Sequence, residues 1–414
     1  MFNQNLELLM PAGSITKMKM TLAYGADAVY LGPPLYSLRA RENHFQNKEL
    51  SESIQYAHNL NKKVYMTLNI FARNRKLKPL MNDIVEYEKM KPDAFIMSDP
   101  GLAMIAKENA PSIPIHLSVQ ANCTNWKSVK FWKESLGVER IILSRELSIQ
   151  EISEIKQRVP DIELEAFVHG SICIAYSGRC LLSSYMDKRD ANQGVCDNSC
   201  REKYKIFEKE HFIQGLDPND QNFYQIDEDE HGTYILNAKD LCMIEHLDQL
   251  KKAGVISFKV EGRTKSEFYA AMVARSYRHA LDDVMNEKPF NKFWLDELQK
   301  LSNRGYHTGF MLQDPSFEGQ NYQASTIYND KIKLLGICRY ISDQMLIDIK
   351  NKISVGQKIE VITPNSEVIQ DCIVDIKSRD GDKKESVHSG SGLFVMRFEK
   401  LNQLPEHSMI LTQV

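Results

Sequence analysis

A chain of 414 residues exceeds a typical single domain, although a barrel of about 250 residues can form one unit. With 43% apolar and 26% charged residues the composition is that of a soluble globular protein, and no segment approaches the ~18 apolar residues needed to cross a bilayer. Its 52 basic and 55 acidic side chains leave a net charge of −3, which neither announces a nucleic-acid binder nor excludes one, because an RNA footprint can be local.

The N-terminal stretch from Met1 to Pro11 has no basic segment followed by an apolar one, so a cytoplasmic protein is expected. Short apolar runs then recur at 6–10, 28–31, 63–68, 94–97, 113–117, 140–143, 164–168 and 257–260. Between them lie stretches of helical periodicity such as 50–60. Strand alternating with helix implies a parallel sheet, and eight units imply a closed (β/α)8 TIM-like barrel. A doubly wound open sheet is the alternative, but no Gly-x-Gly-x-x-Gly turn follows the first run. Helices are expected at 266–285 and 293–303.

The seventh connection, from Gly170 to about Leu241, is far longer than the rest, and Gly232 beside the acidic segment 227–232 favours a hairpin within it. A Gly/Pro/Asn-rich stretch at 313–323 marks a linker, after which the periodicity changes to two. Runs at 334–340, 345–349, 358–362, 368–376, 392–398 and 408–411 read as a small C-terminal β-barrel. The expected division is a barrel over 1–312 with a cysteine loop at about 170–242, a linker over 313–325, and a β-barrel domain over 326–414.

Five of the eight cysteines lie between Cys173 and Cys242: Cys173, Cys180, Cys196, Cys200 and Cys242. Disulfides are uncommon in the cytoplasm, so thiols gathered in loop-like sequence point to a metal or iron–sulfur centre. The gaps of six, fifteen and forty-five residues, or three if Cys200 is used, miss the C-x2–4-C pairs of zinc knuckles and the ferredoxin run. Spacing alone leaves iron–sulfur, zinc and reduced structural cysteines open. Cys123, Cys338 and Cys372 sit in or beside apolar runs and read as packing residues.

Active sites of such barrels lie at the C-terminal ends of the strands. Arg39, Arg41, Arg145, Arg263 and Lys265 follow strands there and suit a carboxylate or phosphate ligand. His169 reads either as a donor to a cluster or substrate, or as a packed histidine. Glu261 reads as an acid/base group or as the ion-pair partner of Arg263. Arg189 belongs to a basic segment with Arg179, Lys188, Arg201, Lys203 and Lys205, a candidate RNA surface. No His-Glu-x-x-His or Gly-x-Ser-x-Gly motif supports hydrolysis.

Certain motifs carry a resemblance. They are Leu9-Met-Pro-Ala-Gly13, Tyr24-Gly-Ala-Asp-Ala-Val-Tyr-Leu-Gly32, Tyr176-Ser-Gly-Arg-Cys-Leu-Leu-Ser183, Lys188-Arg-Asp-Ala-Asn-Gln-Gly194, Asn237-Ala-Lys-Asp-Leu241, Val260-Glu-Gly-Arg-Thr-Lys265 and Arg304-Gly-Tyr-His-Thr-Gly-Phe310. In these the chain resembles peptidase family U-32, the collagenase-like peptidases, and within it the tRNA uridine hydroxylation proteins. The resemblance implies an enzyme that forms 5-hydroxyuridine at the tRNA wobble position, with a 4Fe-4S cluster and a requirement for prephenate, a small dianion. It maps cluster ligands onto Cys173, Cys180 and Cys196, with Cys242 as the fourth and Cys200 as its substitute. Implied partners are tRNA and a homologous subunit. A collagenase-like peptidase, or a hydroxylase of another RNA or a quinone precursor, is the alternative.

Overall fold

Eight parallel strands close on themselves: Glu7–Pro11, Ala28–Leu31, Lys63–Leu68, Ala94–Met97, Ile115–Leu117, Arg140–Ile142, Glu163–Ser171 and Val255–Val260. The computed structural model describes residues 6–38, 45–173, 175–187, 189–196, 200, 212–214, 223–225, 228–229, 232–233, 238–312, 319, 321, 327 and 332–413. The first strand pairs with the second through Leu9 and Ala28 and with the eighth through Leu8 and Phe258. The eighth in turn pairs with the seventh through Phe258 and Ala166, which closes the barrel.

Side chains alternate across each strand. In the first strand, Leu8 and Met10 point to the helix layer and are fully buried, each burial contributing about 1.5–3 kcal/mol. Glu7 and Leu9 share the lumen face. Helices between the strands start on local signals: Ser148 and Glu151 form a capping box for Ile149–Arg158, and Asp99 accepts from Gly101 and Leu102 at Pro100–Asn109.

The seventh strand is longer than its apolar run, because residues from far along the chain complete it. Asp240–Cys242 pairs antiparallel with it, setting Cys242 opposite His169 and Leu241 opposite Gly170, and Tyr306–His307 pairs with Asp240–Cys242 in turn. Within the long connection, the acidic segment does form a hairpin, with Glu228 opposite Thr233 and Asp229 opposite Gly232. Phe212–Gln214 pairs antiparallel with Phe223–Gln225.

The second unit is a closed antiparallel barrel of six strands: Leu334–Ile341, Gln344–Ile349, Lys358–Ile362, Val368–Lys377, Leu393–Phe398 and Met409–Thr412. It docks on the outer helices of the first. The Tyr24 hydroxyl donates to the Ile362 and His407 carbonyls at 2.8 and 3.1 Å, and Arg339 pairs with Glu267 at 2.9 Å. Ile337, Ile362, Met409 and Leu411 join the buried cluster of the first barrel, so the two units share apolar surface.

Candidate active site at the barrel mouth

The lumen of this barrel is charged, where such interiors are usually filled by branched apolar side chains. Arg140 reaches Glu7 at 2.5 Å and Glu165 at 3.3 Å, and Lys259 reaches Glu165 at 2.8 Å. The Ser257 hydroxyl donates to Glu7 and Glu165, and the Tyr65 hydroxyl donates to Glu7 at 2.6 Å. Burial works against the Glu7 carboxylate, but the Arg140 charge and these hydrogen bonds outweigh it and hold its pKa below the usual range. Burial draws the Lys259 ammonium down, opposed by Glu165.

Lys259 is the upper end of this ladder and the floor of a cavity. The cavity, about 630 Å³ of free space including its open mouth, is lined by residues from the ends of seven strands. Tyr30, Thr67, Asn69, Ser118, Gln120, Arg145, Phe167, Ser171, Cys173, Lys259, Glu261 and Arg263 supply most of the wall. Arg145 donates to the Ser171 carbonyl at 2.8 Å, pairs with Glu261 at 3.2 Å, and lies 3.9 Å over the Phe167 ring. Its Nε is buried without a hydrogen-bond partner among the described residues. Arg263 donates to Ser37 Oγ at 2.6 Å and to the Leu38 carbonyl, and is buried.

The described N-terminal part of the cysteine loop is tied to the rim of this mouth. Phe71 N–H donates to the Asn192 carbonyl, Gln193 to the Phe71 carbonyl, and Ser177 N–H to Glu146 Oε1 at 3.1 Å. Gly170 has φ +102°, and a Cβ there would sit 2.4 Å from the Glu261 carbonyl oxygen; only glycine lets the seventh and eighth strands approach so closely where the loop departs.

The expected site residues divide into groups. Arg145, Arg263, Glu261 and Cys173 meet in the cavity, and Glu261 takes Arg145 as its cation. Lys265 lies 5.2 Å over the Tyr269 ring, and Arg189 is exposed on the cysteine loop; neither lines the cavity. Arg39, Arg41, Lys188, Arg201, Lys203 and Lys205 lie outside the described residues. His169 stands within the seventh strand, not after it. It is buried among Tyr269, Tyr277 and Tyr306, with Nδ1 3.3 Å from the Tyr277 hydroxyl, and burial lowers its pKa to about 4.

Cys173 and Cys196 are exposed on the loop and Cys180 and Cys200 half-buried. Cys242 is buried in its strand, 3.8 Å from the Tyr277 hydroxyl, and burial pushes its thiol up to about 11. Among the described residues no group of three or more His, Cys, Asp or Glu stands close enough to hold a metal ion. Thiolate sulfur is the donor that both iron–sulfur centres and zinc take, and Cys173, Cys180, Cys196 and Cys200 carry it on one loop. Lys259, Tyr30 and Phe167 escape sequence reasoning because they lie inside apolar runs. The available signal is a charged residue in five of the eight runs, at Glu7, Lys63, Arg140, Glu165 and Lys259.

The sequence pattern of peptidase family U32 matches residues 13–321, and that of the peptidase family U32 C-terminal domain matches residues 330–410. The chain belongs to peptidase family U32. It is 45% identical to "tRNA hydroxylation protein P" of Haemophilus influenzae, over 87% of this chain and 86% of that protein. The same figure holds for "tRNA hydroxylation protein P" of Escherichia coli, over 87% of each chain. A protein of Porphyromonas gingivalis named "Collagenase" is 27% identical over 90% of each. No described helix is long and apolar enough to cross a membrane.

Proposed function

We propose that this chain is an RNA-modifying hydroxylase that forms 5-hydroxyuridine at the wobble position of tRNA, with prephenate as a required small molecule. One observation carries the reading: a cavity walled by Arg145, Lys259 and Arg263 has Cys173 in its lining, at the start of a loop that also carries Cys180, Cys196 and Cys200. That this arrangement occurs in a chain 45% identical to proteins named for tRNA hydroxylation supports it further.

Cys173, Cys180 and Cys196 would hold a 4Fe-4S cluster, with Cys242 or Cys200 as fourth ligand. Such a cluster supplies one-electron chemistry when bound. The three cations bind and orient the carboxylates of the dianion, and the Tyr30 and Phe167 rings wall it. Glu261 holds Arg145 in place and is itself positioned to exchange a proton with a ligand in the cavity. RNA approaches from the cysteine loop, where a base taken out of its stack reaches the mouth.

A peptidase reading, which the collagenase name of one relative brings forward, finds less support. Ser118, Ser171 and Cys173 line the cavity, but no described histidine does, so no nucleophile there has a neighbouring imidazole base. Nucleoside mass spectrometry of tRNA from a deletion strain tests the proposal. Loss of 5-hydroxyuridine and its derivatives, restored by the wild-type chain and not by Arg145→Ala or Cys173→Ser, is expected. An unchanged nucleoside profile in the deletion strain would overturn it.

A further inference from the structure

Tyr176 is 60% exposed, although it lies on the cysteine loop beside the cavity. The backbone that carries it is nevertheless fixed. Ser177 N–H donates to Glu146 at 3.1 Å, and Arg179 N–H closes a turn onto the Tyr176 carbonyl at 3.0 Å. Gly178 has φ +75° and lies so close to the rim that a Cβ would stand 2.2 Å from the Gln120 carbonyl oxygen. A water-exposed ring on a clamped turn at the edge of a site is the geometry of a base-stacking platform.

The connection after the third strand, which is tied to the same cysteine loop, carries further cations. Arg73, Arg75 and Lys78 are all exposed. Arg73 pairs with Asp190 of the cysteine loop at 3.4 Å while its side chain stays 68% exposed. With the Phe71–Asn192 backbone hydrogen bond, this joins the two segments into one rim. Exposed Arg179 and Arg189 continue the same charge on the other bank. The rim thus carries an exposed aromatic ring and exposed cations on two segments joined to each other, a pairing of chemistries that matches a base and its phosphates better than an acidic protein surface.

We infer that Tyr176 is the plane on which the extruded base stacks, and that Arg73, Arg75 and Lys78 hold the adjoining phosphates of a single-stranded RNA loop. This rests on the reading that the substrate is tRNA. The test uses the full chain and an unmodified tRNA transcript with uridine at the first anticodon position, followed by fluorescence anisotropy over a range of salt. Tyr176→Ala should bind roughly tenfold more weakly, while Tyr176→Phe and Tyr176→Trp retain affinity. Arg75→Glu with Lys78→Glu, which spares the Arg73 anchor, should flatten the salt dependence by about 0.7 in slope for each phosphate no longer neutralised. A transcript with 5-iodouridine at the target position should photo-crosslink to Tyr176. If wild type binds tRNA and these variants bind it equally, or the crosslink maps elsewhere, the platform is wrong and the substrate reading stands. If wild type binds polyglutamate as tightly as tRNA, the rim is a protein-docking surface and the inference falls. If wild type binds no tRNA, both fall.

Discussion

The buried charge set in the lumen makes a sharp thermodynamic prediction. Glu7 and Glu165 balance Arg140 and Lys259, and Glu165 is fully buried with contacts to both cations. Glu165→Gln preserves shape but takes from Lys259 its ion-pair partner and leaves Arg140 with Glu7 and the half-exposed Glu163. Lys259→Met leaves the reverse imbalance. Removing one partner from a buried pair costs about 3–5 kcal/mol. At about 2 °C per kcal/mol for a domain of this size, each single variant should melt roughly 6–10 °C lower. The double variant is neutral again, so it should regain most of that loss, a coupling that distant sites do not show. Differential scanning calorimetry of the four proteins reads this directly. Strictly additive losses would refute the idea that these groups act as one balanced set. The double variant also separates fold from function: it should fold yet fail to restore tRNA modification, because the cavity floor has lost its cation.

The same geometry yields three further expectations. Arg263→Ala removes a charge-assisted contact worth about 1.5–3 kcal/mol, so prephenate use should weaken roughly tenfold or more with iron content unchanged; undiminished use of prephenate would count against the anion site. Cys173→Ser, Cys180→Ser or Cys196→Ser should strip iron from anaerobically purified protein and leave barrel melting intact, and Cys242→Ser and Cys200→Ser should differ sharply; stoichiometric zinc with negligible iron in wild type would refute the cluster. His116 is buried against Tyr65, and burial, with Arg140, Lys259 and Lys63 nearby, holds it well below its usual 6.5. The unfolded chain therefore takes up the proton first, so the stability it contributes is present above about pH 6.5 and is lost as the pH falls below that. His116→Asn should flatten the melting-temperature profile in acid, and parallel profiles would disprove the assignment.

How much of this was legible depended on the range of the interaction. Local apolar runs and turn residues announce eight strands and a second β-barrel, because alternation and glycine placement act within a few residues. The extension of the seventh strand through His169 and Gly170 is not local: it exists because Asp240–Cys242, some seventy residues on, pairs with it. That same pairing buries Cys242 beside Tyr277, which spacing could not foresee. Arg145 and Arg263 are readable as cations after strand ends. Their partners are not, since Glu261, Ser37 and the Ser171 carbonyl come from other connections. Lys259 is harder to read for the opposite reason: the charges recurring in the apolar runs mark it as unusual, but its partner is identified only once Glu165 is seen across the lumen.

The mouth has two halves with different sources of order. Its cations are fixed by the fold: Lys259 by Glu165, Arg145 by Glu261 and the Phe167 face, Arg263 by Ser37 and the Leu38 carbonyl. Long basic side chains carry about 2 kcal/mol of rotamer entropy, so anchoring them in advance lowers the cost of gripping an anion. The thiols are arranged differently, on a loop clamped at Ser177, Asn192 and Gln193, with Cys173 and Cys196 themselves open to solvent. If the proposed cluster is bound, anion binding should therefore survive its removal, and the cysteine loop should be the part whose protease sensitivity changes when iron is chelated. A chelated protein that loses prephenate affinity as well would mean that the two halves are one site, with the cluster itself holding the anion.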